Sequence, residues 1–327
     1  MENFLIPFIF IYQKISQFIN FLYDSRILGI KKVNIPVISI GNLSFGGTGK
    51  TPVTIALAEK LIEKGFKVAI LLRGYKGKFE RRSAMISDGR NILYSWRETG
   101  DEAFLIAKNV KEAGVFVGKN RVTQALNAIK SGFNLIILDD GFQYRPLYRD
   151  VDLVIISSGN QGLLREPISS LKRANSVLFY NEIEEKIFEK IKKFNLYVSK
   201  FSYQKVGFYN INENIFYPPD HFKREKAIAF CGIANPFRFK KFLEEMEIDI
   251  RYFVSFPDHY SYPEKSIKRL IEKHAKMKAE VLITTEKDAL KLTDYLNLPI
   301  YYLKIKAQLP DSLLSFILRR VERNACN

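Results

Sequence analysis

Cysteine is scarce in this chain. Its 327 residues include two, Cys231 and Cys326, far apart in sequence and with no C-x-x-C pair. That argues against a disulfide framework and against a zinc site, and it suits a reducing compartment. Long apolar runs are also missing. The strongest, FLIPFIFIY (residues 4–12), has nine residues, which makes about 14 Å of helix against a hydrocarbon core of about 30 Å, too short to span alone. Extension to Tyr23 brings in Gln13, Lys14, Gln17 and Asn20, and a central lysine costs about 2.5–3.5 kcal/mol in a spanning helix. A signal peptide is disfavoured, because Glu2 is the only charge before the run and no small-residue cleavage site follows. Low-complexity segments, internal repeats and a recognisable nucleic-acid module are absent as well.

What is present is a folded, basic chain. Hydrophobic residues make up 47% of it, enough for two ordinary domains with full cores. Lys and Arg number 51 against 35 acidic residues, a formal charge of +16. Such a balance calls for an anionic partner, among which nucleic acid, lipid headgroups and nucleotide phosphates all qualify, unless it reflects only a Lys-, Ile-, Phe- and Asn-rich composition. The amino terminus narrows the choice. Read as a helix, it puts Phe8, Ile11, Ile15, Phe18 and Leu22 in one apolar stripe, while Gln13, Gln17 and Asn20 share another side. With the basic pair Lys31 and Lys32 following, this reads as a helix lying in a membrane interface; the alternative is a helix packed on the protein's own core.

The segment ISIGNLSFGGTGKTP (38–52) runs from a buried strand into the first turn of a helix. It fits the phosphate-loop pattern G-x-x-x-x-G-K-[ST] at Gly49, Lys50 and Thr51, with Ser44 where glycine is usual. A loop that wraps phosphates needs small residues so that successive N–H groups can turn inward. Within the phosphate-binding run Ser44, Phe45, Gly46, Gly47, Thr48 and Gly49, the three glycines supply most of that freedom. Lys50 would reach the β- and γ-phosphates of ATP, Thr51 would offer its hydroxyl to Mg²⁺, and Pro52 fits a first helical turn. Further along, NLIILDDGFQ ends a buried strand, Leu135–Leu138, on Asp139 and Asp140. This is the pattern of a strand whose terminal carboxylate reaches Mg²⁺ beside a phosphate loop, and either aspartate qualifies.

Around these motifs strand and helix alternate. The expected fold is α/β, a P-loop NTPase-like core with a mostly parallel sheet plus a second, smaller α/β unit. The expected boundaries are an interfacial helix and lead-in over residues 1–32, the kinase core over 33–200, an extended linker over 201–225 and the second unit over 226–327. Two rival classes share these features. A GTPase-like switch would want N-K-x-D, and TEKD (285–288) carries its Lys one place late, so ATP is favoured; a basic ATPase acting on nucleic acid would explain the charge but not the amino terminus.

The motifs GNLSFGGTGKTP, GDEAFLIA, DDGFQYRPLYRDVDLVI, LREP, GIANPFRF, FPDHY and TTEKDALKL stand in the order found in the tetraacyldisaccharide 4'-kinase (lipid A 4'-kinase) family, which the chain resembles over about residues 33–292. That family also carries serine where Ser44 stands. Tyr144 is a departure, since histidine is the family residue after DDG-x-Q. The resemblance implies transfer of the ATP γ-phosphoryl group, with Mg²⁺, to the 4'-hydroxyl of a tetraacylated glucosamine disaccharide 1-phosphate. The product would be lipid IVA, made by a peripheral enzyme at the cytoplasmic face of the inner membrane with no nucleic-acid partner. It implies Asp101 as the base that accepts the hydroxyl proton and His259 as its hydrogen-bonded tuner, with Arg165 near the nucleotide phosphates and Glu166 near the metal. On residues alone, Asp101 also reads as a helix cap, His259 as a loop histidine, and Arg165 with Glu166 as a surface ion pair. The run Thr285, Glu286, Lys287, Asp288 either contacts nucleotide or holds a loop of the second unit.

Overall fold

The computed structural model describes residues 2–44, 46–156, 164–292 and 298–325, with residues 2–10 and 324–325 described by their backbone alone. Cys326 and Phe45 lie outside these residues. The chain divides into two compact units, Met1–Ser202 with Ala307–Asn327, and Tyr203–Lys306.

The first unit begins with α1 (Glu2–Asp24), β1 (Val37–Asn42), α2 (Lys50–Glu63), β2 (Val68–Leu72), β3 (Ala84–Asp88), α3 (Trp96–Thr99) and α4 (Asp101–Asn109). It continues through β4 (Gly114–Val117), α5 (Arg121–Lys130), β5 (Leu135–Asp139), β6 (Val151–Ile156), β7 (Ser176–Tyr180), α6 (Glu185–Lys192) and the start of β8 (Tyr197–Asn210). Its sheet runs in the order β8-β7-β6-β1-β5-β2-β4-β3. Every pairing in it is parallel except that of the edge strand β3 with β4. Strands β1, β2 and β5 are buried at every position, as continuous apolar runs must be when both faces of a parallel sheet are covered. On one face Val37, Leu71, Phe116, Ile136 and Leu138 form a core; another gathers Leu43, Phe142, Val154, Leu171 and Ile191.

The second unit holds the end of β8, β9 (Phe216–Tyr217), β10 (Lys226–Cys231), α7 (Pro236–Glu245), β11 (Asp249–Ser255), α8 (Glu264–Lys276), β12 (Val281–Thr285), α9 (Glu286–Ala289) and β13 (Ile300–Gln308). Its strands order as β11-β10-β12-β13, all parallel. Ile228, Phe230, Tyr262, Ile267 and Leu282 fill its core. The chain then returns to the first unit with α10 (Asp311–Ala325).

That return differs from the expected boundaries, which assign residues 307–327 to the second unit and 201–225 to a linker. Leu313, Ile317 and Val321 of α10 are buried, Phe316 stacks on Tyr197 with ring centroids 4.5 Å apart, and Lys60 pairs with Asp311 at 2.8 Å. The segment expected as an extended linker, 201–225, contains the second part of β8, to Asn210, and β9, and the remainder lies outside regular strands. Strand β3 and helix α6 carry little sequence signal, whereas α3 opens on a capping box, Ser95 with Glu98. β3 is a half-buried edge strand, and α6 buries only Ile187 and Ile191.

Gly41 shows how tightly the two functional strands are joined. A Cβ there would collide with the Cβ of Phe142, in the turn that follows Asp139 and Asp140, and would lie 2.9 Å from its amide nitrogen. Gly41→Ala is expected to destabilise the protein by about 1–3 kcal/mol, as overpacking does, measured by urea unfolding. An unchanged midpoint would show that this turn is free to move.

Candidate active site

β1 lies between β5 and β6, and its parallel register pairs Ile40 with Asp139. The loop leaving β1 therefore emerges beside the two carboxylates that end β5, at the carboxyl edge of the sheet where α/β proteins bind ligands. Gly46 (φ 94°) and Gly49 (φ 92°) take left-handed backbone angles in this loop, which glycine adopts without strain. Ser44 needs no such freedom, since it sits in an antiparallel bridge to Leu164. Within the loop, Asn42 Nδ2 donates to the buried Thr48 hydroxyl at 3.0 Å. Gly49 caps α2, so Lys50 and Thr51 fall in its first turn, where the free N–H groups and the helix dipole favour an anion.

Lys50 Nζ lies 3.3 Å from Asp140 Oδ1. Arg165 Nη1 donates to both Asp140 oxygens, at 3.1 and 2.9 Å. Burial raises the Asp140 carboxyl, but Lys50, Arg165 and Arg121 outweigh it and hold this group well below the usual carboxylate range. Asp139 is the opposite case. It is buried (3% exposed), and although Thr54 Oγ1 donates to it at 2.7 Å, burial together with the nearby Glu102 carboxylate pushes its carboxyl up to about 7. One aspartate is thus a permanent anion facing cations, and its neighbour changes charge near neutrality.

The segment 164–166 runs beside the end of β1. Arg165 N and Glu166 N both donate to Leu43 O, which delivers Arg165 to Asp140. The reading of Arg165 and Glu166 as a pair with each other is not what the structure holds: Glu166, 1% exposed, is bound to Arg173 at 2.8 Å and accepts from Asn20 Nδ2 of α1 at 2.9 Å. Asp101 is likewise no helix cap. Gly100 takes that position and Asp101 is the buried first residue of α4. His259 belongs to the second unit.

Sequence reasoning passed over Arg121. It opens α5, is buried, and has the Asp140 and Asp139 charges within electrostatic reach. Its guanidinium lies 5.0 Å from the Tyr144 ring, and its backbone N–H donates to Tyr144 Oη at 3.0 Å. The tyrosine that departs from the family pattern is therefore the seat of a buried cation.

The oxygens of Thr51, Asp139 and Asp140 are hard donors of the kind Mg²⁺ takes, usually one or two carboxylates with phosphate oxygens and water completing the shell. Burial first and then the Glu102 charge raise Asp139, and a bound cation offsets both, so these residues fit that ion. Glu166 fits less well, its Oε2 being shared by Arg173 and Asn20.

A phosphate loop on the central strand of a parallel sheet, with a carboxylate pair on the adjoining strand and two cations facing it, defines a P-loop nucleotide-binding phosphotransferase. More particularly, the chain belongs to the tetraacyldisaccharide-1-P 4'-kinase family, LpxK, whose model matches residues 1–322. It is 35% identical over 331 residues to the tetraacyldisaccharide 4'-kinase of Aquifex aeolicus (strain VF5), an alignment covering 98% of this chain and 99% of the relative. The corresponding kinase of Syntrophus aciditrophicus (strain SB) is 35% identical over 314 residues, with 88% and 84% covered. The fold superposes on LpxK from Aquifex aeolicus in complex with ATP with a TM-score of 0.76, at 32% identity and 98% coverage of each chain.

The raised Asp139 carboxyl has a signed consequence. Its folded value, about 7, lies above its ordinary 3.8, so the folded state binds a proton that the unfolded state has lost, and stability falls as pH rises between those values. Asp139→Asn removes this penalty. Without nucleotide or metal, its melting temperature is expected to gain on the parent's as pH goes from 5 to 8. Parallel curves would show that Asp139 ionises normally.

Proposed function

We propose that this chain transfers the γ-phosphoryl group of ATP to the 4'-hydroxyl of tetraacyldisaccharide 1-phosphate, working as a peripheral protein at the cytoplasmic face of the inner membrane. The observation that carries the reading is the phosphate loop with Lys50 set against Asp140, in a chain matched almost end to end by the kinase family. Bound ATP with Mg²⁺ supplies the transferable phosphoryl group and much of the charge neutralisation. The loop N–H groups between Ser44 and Thr51 bind its phosphates. Lys50 swings from Asp140 to the γ-phosphate and stabilises the charge that spreads over its oxygens in a loose transition state. Arg165 and Arg121 hold Asp140 ionised, and Thr51 with Asp139 and Asp140 would hold the metal. Asp101 takes the proton of the 4'-hydroxyl as that oxygen bonds to the γ-phosphorus and the bond to the β-phosphate oxygen breaks, leaving ADP. An ordinary Asp, near 3.9, is a weak base, and burial raises basicity. By the family pattern His259 assists that proton transfer.

The test is thin-layer chromatography of labelled phosphate moved from ATP to the lipid A precursor. The parent protein should form a labelled lipid. Lys50→Ala and Asp101→Asn should each lower single-turnover transfer at least about 100-fold while remaining folded. Near-normal transfer by a folded Lys50→Ala protein would overturn the phosphate-loop assignment, and by Asp101→Asn the base.

The membrane reading rests on α1. Among the described residues no helix is long and apolar enough to cross a membrane. The polar edge of α1 grips the protein: Gln13 Nε2 donates to Leu164 O at 2.7 Å, Asn20 binds Glu166, and Asp24 pairs with Arg145 at 2.8 Å. Its apolar side faces outward, with Ile11, Ile15, Phe18 and Phe21 each more than half exposed. A patch of this kind on a chain of charge +16 suits an anionic bilayer surface. Replacing Phe18 and Phe21 by Asp should reduce flotation with anionic vesicles at least about 10-fold while leaving the melting temperature in place; undiminished flotation would remove α1 as the anchor.

A further inference from the structure

The TTEKD run (284–288) carries side-chain chemistry that the phosphate loop, the carboxylate pair and the acceptor base leave unused. It closes β12 and opens α9. Asp288, at its end, is fully buried. Its Oδ2 accepts from the Gly232 N–H at 2.9 Å and from the Thr285 hydroxyl at 2.7 Å, and its Oδ1 lies 3.4 Å from the buried Lys291 Nζ. A buried pair of this kind adds little net stability over an apolar replacement, so stability alone is a poor reason for it.

What Asp288 holds is informative. Gly232 follows β10, and its carbonyl accepts from the backbone N–H of His259 at 3.2 Å; the carbonyl before it, of Cys231, accepts from Phe256 N at 2.8 Å. Asp288 therefore holds the Gly232 N–H while His259 hangs from the carbonyl of the same residue. Gly232 permits this close approach, since a Cβ there would lie 3.2 Å from Asp288 Oδ1 and 3.1 Å from Pro257 O. A second tie comes from the adjoining residue. Lys287 Nζ lies 3.3 Å from Asp258 Oδ1, the same oxygen that accepts from His259 N at 3.0 Å, and Asp258 Oδ2 stands 3.7 Å from His259 Nε2. His259 itself has φ 63°, a left-handed angle that a non-glycine residue keeps only where its surroundings over-determine it.

We propose that the Thr285–Asp288 run is the seat of the His259 loop, and that Asp288 and Lys287 are positioning residues for phosphoryl transfer. They act through Gly232 and Asp258 to fix the backbone and ring of His259. The proposal rests on the role given to His259 above.

The test uses the full chain labelled with ¹³C-histidine. The sequence has three histidines, so the His259 ring resonance is identified by its loss in His259→Ala. In Asp288→Asn and in Lys287→Met, the His259 resonance is expected to shift or broaden while those of His221 and His274 stay in place. Transfer should fall about 10-fold or more in kcat with KM for ATP unchanged, and neither substitution should lower the rate further in the His259→Ala background. An unmoved His259 resonance in folded variants would overturn the seat, as would losses that multiply with His259→Ala. Should Asp288→Asn fail to fold, Lys287→Met alone carries both readouts. A parental rate in His259→Ala would overturn the catalytic role of His259 and the kinetic half of the proposal, and the ring resonance would still decide the seat.

Discussion

The register of β1 against β5 is the constraint on which the site depends. Because Ile40 is paired with Asp139, the loop that leaves β1 and the two carboxylates that end β5 emerge side by side, and Lys50 meets Asp140 at 3.3 Å. A slip of one residue would carry the phosphate loop about 3.3 Å out of step with the carboxylates and exchange the residues that meet the two covered faces. Gly41 belongs to the same constraint, since it admits Phe142 against β1 and so keeps the turn after Asp140 close to the phosphate loop.

From that register follows the division of labour between two adjacent aspartates. Asp140 collects Lys50, Arg165 and the more distant Arg121, and stays ionised. Asp139 is buried, accepts from the Thr54 hydroxyl and feels Glu102, and so ionises with difficulty. Neighbours in sequence differ because Asp139 is the last residue of β5, whereas Asp140 turns out of the strand with φ 54°. A cation arriving there would find one carboxylate ready and another whose charge it must itself stabilise.

The amino-terminal helix inverts the usual amphipathic arrangement. Its polar residues reach inward to Leu164, Glu166 and Arg145, and its large apolar residues face out. The inward contacts fall on the segment that carries Arg165 to Asp140, so the helix that meets the bilayer in the proposed reading also braces the phosphate site. In the second unit, a buried carboxylate likewise serves orientation, through backbone groups that no side-chain pattern announces.

The chain's own letters determined a good deal. Continuous apolar runs of strand length required a parallel sheet with both faces covered. Glycines before Lys50 and Thr51 required a loop able to turn its N–H groups inward, and a paired Asp closing a buried strand marked two carboxylates beside that loop. These are local rules, and local rules are legible in sequence. The rest was decided by tertiary structure, because it depends on contacts between residues far apart in the chain. The stack of Phe316 on Tyr197 returns α10 to the first unit; Arg121 becomes part of the site through Tyr144; Glu166 is drawn to Arg173 rather than to its neighbour. The opposite ionisation of Asp139 and Asp140 arises the same way, since burial and distant charges set a pKa and neither is written in the residue's own name.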